Sequence, residues 1–230
     1  MVVSKVVIYG NVNVGVYIFS NNKLALVPKN VPDRVKEVIN NTLHVETFEV
    51  TILGTKVLGV FIAGNDYGIL LPKTVDDEEY KIIEGIASSL GLAVERLKSK
   101  YTALGNMILA NNKAALVHPE FENEALKIIS DVLNVQVERG SIANIPTVGS
   151  VASVTDVGLL VHPETKDDEL LELKSFFSVN NADVGTVNFG VSFIRTGLVV
   201  NTRGAIVGDL TTGPEIVRIE NVFELAGEEG

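Results

Sequence analysis

One phrase recurs five times along this chain, and an internal repeat of this period constrains the fold more than any local propensity does. Its clearest copy is residues 105–119, Gly-Asn-Met-Ile-Leu-Ala-Asn-Asn-Lys-Ala-Ala-Leu-Val-His-Pro. A glycine opens it, an apolar run follows, a polar step interrupts, and a second apolar run stops at a proline. That order describes a β-hairpin handing over to a helix. The copies open at Gly15, Gly59, Gly105, Gly149 and Gly197, spaced 44, 46, 44 and 48 residues apart. Four close at Pro28, Pro72, Pro119 and Pro163, and the fifth at Gly208-Asp209.

Behind each hairpin lies a stripe at helical spacing. It is Val35, Val38, Ile39 and Leu43 in the first unit and Ile83, Ile86, Ala87 and Leu90 in the second. The later units have Ala125, Ile128, Ile129, Val132 and Leu133, then Leu170, Leu173 and Phe177, then Ile216, Ile219 and Phe223. Helix-start chemistry precedes them: Pro32, Thr74-Val75-Asp76-Asp77, residues 165–168, and Thr212-Gly213-Pro214-Glu215. A third strand follows at 45–52, 92–97, 135–138 and near 184–187. The fifth unit runs into a polar tail, 226–230, before reaching one, whereas 2–9 is a β-branched strand with no unit of its own. Strand 2–9 therefore completes unit five and closes a ring, which removes exposed sheet edges. The expected fold is α/β, a five-bladed αβ propeller with pseudo-fivefold symmetry, strands lining the middle and helices outside. It reads as one domain of five repeats, 10–54, 55–100, 101–145, 146–193 and 194–225, because no Pro/Gly/Ser linker separates the copies.

Composition narrows the function. There is no cysteine, so disulfides, thiolate ligands and cysteine nucleophiles are out, which fits a cytoplasmic protein. No apolar run approaches the ~20 residues that span a bilayer, and the first residues lack the plan of a signal peptide. The 19 basic and 29 acidic side chains leave a net charge of −10, which disfavours broad binding to DNA or RNA; it makes a basic protein partner electrostatically easier, although acidity that only keeps the surface soluble is the commoner case. No phosphate loop and no Gly-x-Ser-x-Gly elbow is found. We expect no catalytic residue, no cofactor and no metal site, since three scattered histidines make a poor one.

Leu104-Gly105-Asn106, Ala115-Leu116-Val117-His118-Pro119, Val148-Gly149-Ser150 and Gly158-Leu159-Leu160-Val161-His162-Pro163 together resemble the translation initiation factor 6 family. Gly64-Asn65-Asp66-Tyr67-Gly68-Ile69-Leu70-Leu71-Pro72 and Thr211-Thr212-Gly213-Pro214-Glu215 agree, in order and spacing, and the ending looks like the archaeal form. The resemblance implies a pentein fold and a non-enzymatic role. It implies binding of the large ribosomal subunit on the face that meets the small one, near the sarcin–ricin loop and adjoining ribosomal proteins, as an anti-association factor. A monomer is expected. Two rivals stand beside it: the guanidine-modifying enzymes that share pentein rings, which need a cysteine this chain lacks, and an acidic scaffold for another basic protein.

The candidate contact residues come from two places. Asn106 follows the repeat glycine where other units carry Val16, Val60, Ser150 and Leu198, so the blade does not demand its amide. Arg96, Lys98 and Lys100 just before it form the local basic cluster; the residues alone read equally as edge-protecting charges, and the resemblance, which implies that this strand lies close to the subunit-binding surface, favours contact. The hairpin turns, with Asn65, Asn111 and Asn112 the sharpest, are expected to project from one face of the ring. Their other reading is turn chemistry, because Asn and Asp tolerate positive φ and bond locally. His118 and His162, each before a repeat proline, read as strand-end structure.

Overall fold

The computed structural model describes residues 2–225. The first strand, β1 (Val3–Val6), stands apart from the unit that follows it. Unit one runs α1 (Val14–Tyr17), β2 (Phe19–Ser20), β3 (Leu24–Pro28), α2 (Asp33–Leu43), β4 (Glu46–Val50). Unit two is α3 (Leu58–Phe61), β5 (Ala63–Gly64), β6 (Gly68–Pro72), α4 (Asp77–Ser89), β7 (Ala93–Leu97). Unit three is α5 (Leu104–Met107), β8 (Ile108–Ala110), β9 (Ala114–Val117), α6 (Asn123–Leu133), β10 (Gln136–Arg139). Unit four is α7 (Val148–Val151), β11 (Ala152–Val154), β12 (Gly158–Val161), α8 (Asp167–Phe176), β13 (Asn181–Val184). Unit five is α9 (Ile194–Gly197), β14 (Leu198–Val200), β15 (Ala205–Gly208), α10 (Gly213–Val222).

Each unit builds one three-stranded sheet. The short first strand pairs antiparallel with the second, and the long helix returns the chain so that the third lies parallel to the second. In unit five that third place is taken by β1, parallel to β15 with Val3 opposite Ala205 and Val6 opposite Gly208. The N-terminal strand thus completes the last blade and joins the two ends of the array.

The units share their cores. One cluster packs Phe19, Leu24 and Leu26 of unit one with Leu58, Ile69 and Ile83 of unit two. Another joins Leu109, Ala114 and Leu116 of unit three to Leu159, Leu173 and Phe177 of unit four. Each long helix wedges between its own sheet and the preceding one, α2 against β4 and β1, α4 against β7 and β4. A lone unit would leave bare the apolar surface that it shares with its neighbour, as expected of repeat architectures.

The one-turn helices form a second ring around the axis, α1 on α3, α3 on α5, α5 on α7, α7 on α9, and α9 on α1. A side chain on Gly59 would overlap the Gly15 carbonyl oxygen, on Gly105 that of Gly59, and on Gly149 that of Gly105. The repeat glycines exist because backbone meets backbone here.

Several local expectations are corrected. The first apolar run of each unit is one helical turn plus an inner strand of two or three residues; so short a run does not distinguish the two by periodicity. In unit five α9 shows that Arg195, not Gly197, occupies the repeat-glycine position, so the residue equivalent to Asn106 is Thr196 rather than Leu198. The third strand of unit four is Asn181–Val184, three residues early. Helix α8 starts at Lys166 with no side-chain cap, and the Thr165 hydroxyl is buried without a partner. By contrast Asp76 caps α4 by accepting from the Glu78 and Glu79 N–H groups, and Thr212 and Glu215 form the expected capping box of α10. The tail 226–230 lies outside the described residues.

Candidate functional site

The path of each unit gives the ring two ends. The inner strand runs from the one-turn helix to the hairpin turn, and the next strand runs back. One end therefore carries the one-turn helices, the loops that enter them and the starts of the long helices. The other carries the hairpin turns and the ends of the long helices. The candidate residues divide between these ends: Asn106, Arg96, Lys98 and Lys100 lie at the helix end, and Asn65, Asn111 and Asn112 at the turn end.

At the turn end the amides face inward. Asn65 and Asn111 are each 4% exposed. Asn111 Oδ1 accepts from the Lys113 and Ala114 N–H groups at 2.9 Å, a local Asx turn. Its Nδ2 donates to the Thr155 carbonyl at 3.1 Å and the Phe177 carbonyl at 3.0 Å, bonding the next turn and capping the next unit's helix. Asn65 does the same toward Asn111 and Leu133, and Asn201 toward Asn21 and Leu43. A second layer links Asn22 Nδ2 to Asp66 at 2.7 Å, and Asn112 Nδ2 to both Asp66 and Asp156 at 2.6 Å. The basic side chains here are also held by the ring: Lys113 donates to the Asp156 and Ser178 carbonyls, and Arg203 to those of His44 and Asn22. The turns do gather at one face, but their amides are bonded between blades.

At the helix end more remains free. The Asn106 side chain is half-buried and makes no hydrogen bond among the described residues, whereas Ser150 and Thr196 at the same place bond back to Thr147 and Phe193. Lys98 is exposed with no ion pair among the described residues. Lys100 pairs with Glu120 at 3.3 Å and sits 5.0 Å from the Tyr101 ring centroid. Its pKa is raised, first by that hydrogen bond. Tyr101 packs on His118 at 4.8 Å, and the His118 N–H donates to the Met107 carbonyl, so Lys100, Tyr101, His118 and the Asn106 turn form one neighbourhood. Arg96 is more constrained: it bonds Asp77 at 2.6 Å and stacks over Tyr80 at 4.4 Å.

The histidines are structural in detail. His118 Nδ1 accepts from the Glu120 N–H and His162 Nδ1 from the Glu164 N–H, each at 3.2 Å. Among the described residues no group of three or more His, Cys, Asp or Glu is placed to hold a metal ion.

Two features escaped sequence reasoning. Glutamates near the long-helix starts hold the preceding loops: Glu79 accepts from Leu53 and Gly54, Glu169 from Ala143, and Glu215 from Phe189 and Gly190. The loop at Lys98–Tyr101 is tied instead by Glu122, through Ser99 and the Lys100 N–H. The second feature is an exposed apolar set at the helix end of unit five, Phe189 at 80%, Leu210 at 58% and Phe193 at 43% exposure. An aromatic beside Gly190, in a loop, was the available signal.

Residues 3–222 match the model of the eIF-6 family. The chain belongs to that family. A protein named Translation initiation factor 6 from Saccharolobus islandicus is 49% identical over 217 residues, covering 94% of this chain and 96% of that protein. The Pyrobaculum aerophilum protein of that name is 43% identical over 216 residues, 94% of this chain and 96% of its own length. The Sulfolobus acidocaldarius one is 41% identical over 224 residues, 97% and 99%. Among solved structures, a DDAH from Pseudomonas aeruginosa complexed with citrulline is similar at a TM-score of 0.44 and 15% identity, covering 74% of this chain and 68% of that one, too distant to bear on function. Membership in the eIF-6 family places the chain among translation initiation factors, and these relatives are archaeal. No helix among the described residues is long and apolar enough to cross a membrane.

Proposed function

We propose that this eIF-6 family member binds the large ribosomal subunit on its intersubunit face through the helix end of the ring, and blocks premature joining of the small subunit without catalysing a reaction. It acts in the cytoplasm as a monomer and needs no cofactor. The observation that carries the reading is Asn106, an amide with no bond among the described residues at a position where units one and two carry Val16 and Val60. Lys98 and Lys100 lie in the loop before it and supply local contacts to rRNA near the sarcin–ricin loop. The acidity of the chain as a whole, net −10, suits basic ribosomal proteins. Phe189 and Leu210 give the same end apolar anchors of the kind that dominate protein interfaces. A standard interface would cover ~800 Å² on this side, and Arg96 sits at its edge.

Co-sedimentation with isolated archaeal subunits tests this. The chain should travel with the large subunit and not with the small one, and Asn106→Ser should weaken that binding. Equal migration with both subunits, or with neither, would refute it and leave the scaffold reading.

A further inference from the structure

Arg195 stands where four units have glycine, and its side chain lines the axial cavity enclosed by the inner strands. The cavity, about 50 Å³, is walled by Ile18, Leu109 and Leu198 and by the hydroxyl-bearing Ser20 and Ser153. Among the described residues no ion pair and no hydrogen-bond acceptor compensates the guanidinium. Burial is the sole influence on it, with no carboxylate and no hydrogen-bond acceptor contributing, and it pulls the pKa down to about 10, so the group is cationic at neutral pH. The Arg195 side chain is half-buried where it meets the cavity. A second group points to the same need: Ser153 is 4% exposed, lines this cavity, and its hydroxyl has no partner. The axial carboxylates Asp66 and Asp156 line the adjoining cavity toward the turns, where Asn22 and Asn112 hold them.

A cation held in a cavity without a counter-charge is costly, and water satisfies its N–H groups while leaving the charge. The planar guanidinium offers parallel N–H donors that match an oxyanion, and a serine hydroxyl adds another. At roughly 10–15 Å³ per water the cavity has room for about four, the size class of a small tetrahedral ion and far below a nucleotide. We propose that the axial cavity binds one small oxyanion, of which phosphate is representative, between the Arg195 guanidinium and the Ser153 hydroxyl. The ion braces the seam where unit five lacks the repeat glycine. This site is independent of the ribosome-binding reading.

Titration calorimetry of the full chain with inorganic phosphate at pH 7 tests it, ionic strength being held constant with sodium gluconate. One saturable site per chain is expected. Arg195→Gly restores the residue of the other units and should weaken binding at least tenfold, and Ser153→Ala several-fold. Arg195→Gln keeps most of the side-chain volume and should behave like Arg195→Gly, so it decides the matter if the glycine variant misfolds. Absence of saturable binding in the unmodified chain, or unchanged affinity in Arg195→Gln, overturns the proposal and leaves a cavity that holds water only.

Discussion

A side chain on Gly105 would overlap the carbonyl oxygen of Gly59. Both sides of that contact are backbone, so no rotamer change relieves it. Gly105→Ala should therefore destabilise the ring by about 3 kcal/mol, the upper range for overpacking. Urea denaturation should show a lower midpoint with an unchanged slope. An alanine that is tolerated at this position would mean that the one-turn helices do not pack as closely as described.

Asn111 and Asn106 stand five residues apart and should behave oppositely. Asn111→Ala strips partners from two backbone N–H groups and two carbonyls at a position 4% exposed, a cost of about 2–4 kcal/mol. Asn106→Ser removes no side-chain hydrogen bond among the described residues and should leave stability within about 0.5 kcal/mol. It should weaken large-subunit binding roughly tenfold. Thermal melts and sedimentation of the same two variants separate the roles.

Glu215 predicts a pH dependence. Burial alone would raise its pKa, but hydrogen bonds from the Thr212 and Gly190 N–H groups and the Thr186 and Thr212 hydroxyls bring it to about 2. The folded value lies below the unfolded one, near 4.3. Its stabilisation is therefore complete above about pH 4.5 and is lost as pH falls toward 2. Because the group is partly exposed, Glu215→Gln should cost only about 1–2 kcal/mol at pH 7. Denaturation at pH 7 and pH 3 should show the gap to the unmodified chain narrowing at the lower pH.

Lys98 is the freest of the basic residues before Asn106, since Lys100 is paired with Glu120 and Arg96 with Asp77. Lys98→Glu should weaken large-subunit binding roughly tenfold at low salt, with less effect at high salt, and leave the melting temperature unchanged. A salt-independent defect would argue against an electrostatic contact there.

Much of the fold was legible because the repeat wrote it five times. Hairpin, helix and third strand follow from the order of glycine, turn, proline and stripe, and the spare strand at the N-terminus implied closure. The phase of unit five was misread because Thr196-Gly197 mimics an opening glycine while the true position holds Arg195. The turn asparagines were legible as turn residues, but spacing does not reveal that their amides reach the neighbouring unit, some 44 residues away for Asn111 and Thr155. Glu79 and Glu169 were hidden for the same reason, being placed by the packing of one blade on the next. Asn106 stood out against Val16 and Val60, but Ser150 and Thr196 at the same position are polar too, and only the structure shows that those two bond back to their own turn while Asn106 does not.

The central claim is that this ring keeps the ribosomal subunits apart. The most direct measurement is light scattering on mixing purified archaeal large and small subunits, with and without saturating protein. Scattering from the joined particle should be suppressed by the unmodified chain, and a roughly tenfold higher concentration of Asn106→Ser should be needed for the same suppression. Undiminished joining in the presence of the unmodified chain, bound to the large subunit, would contradict that claim.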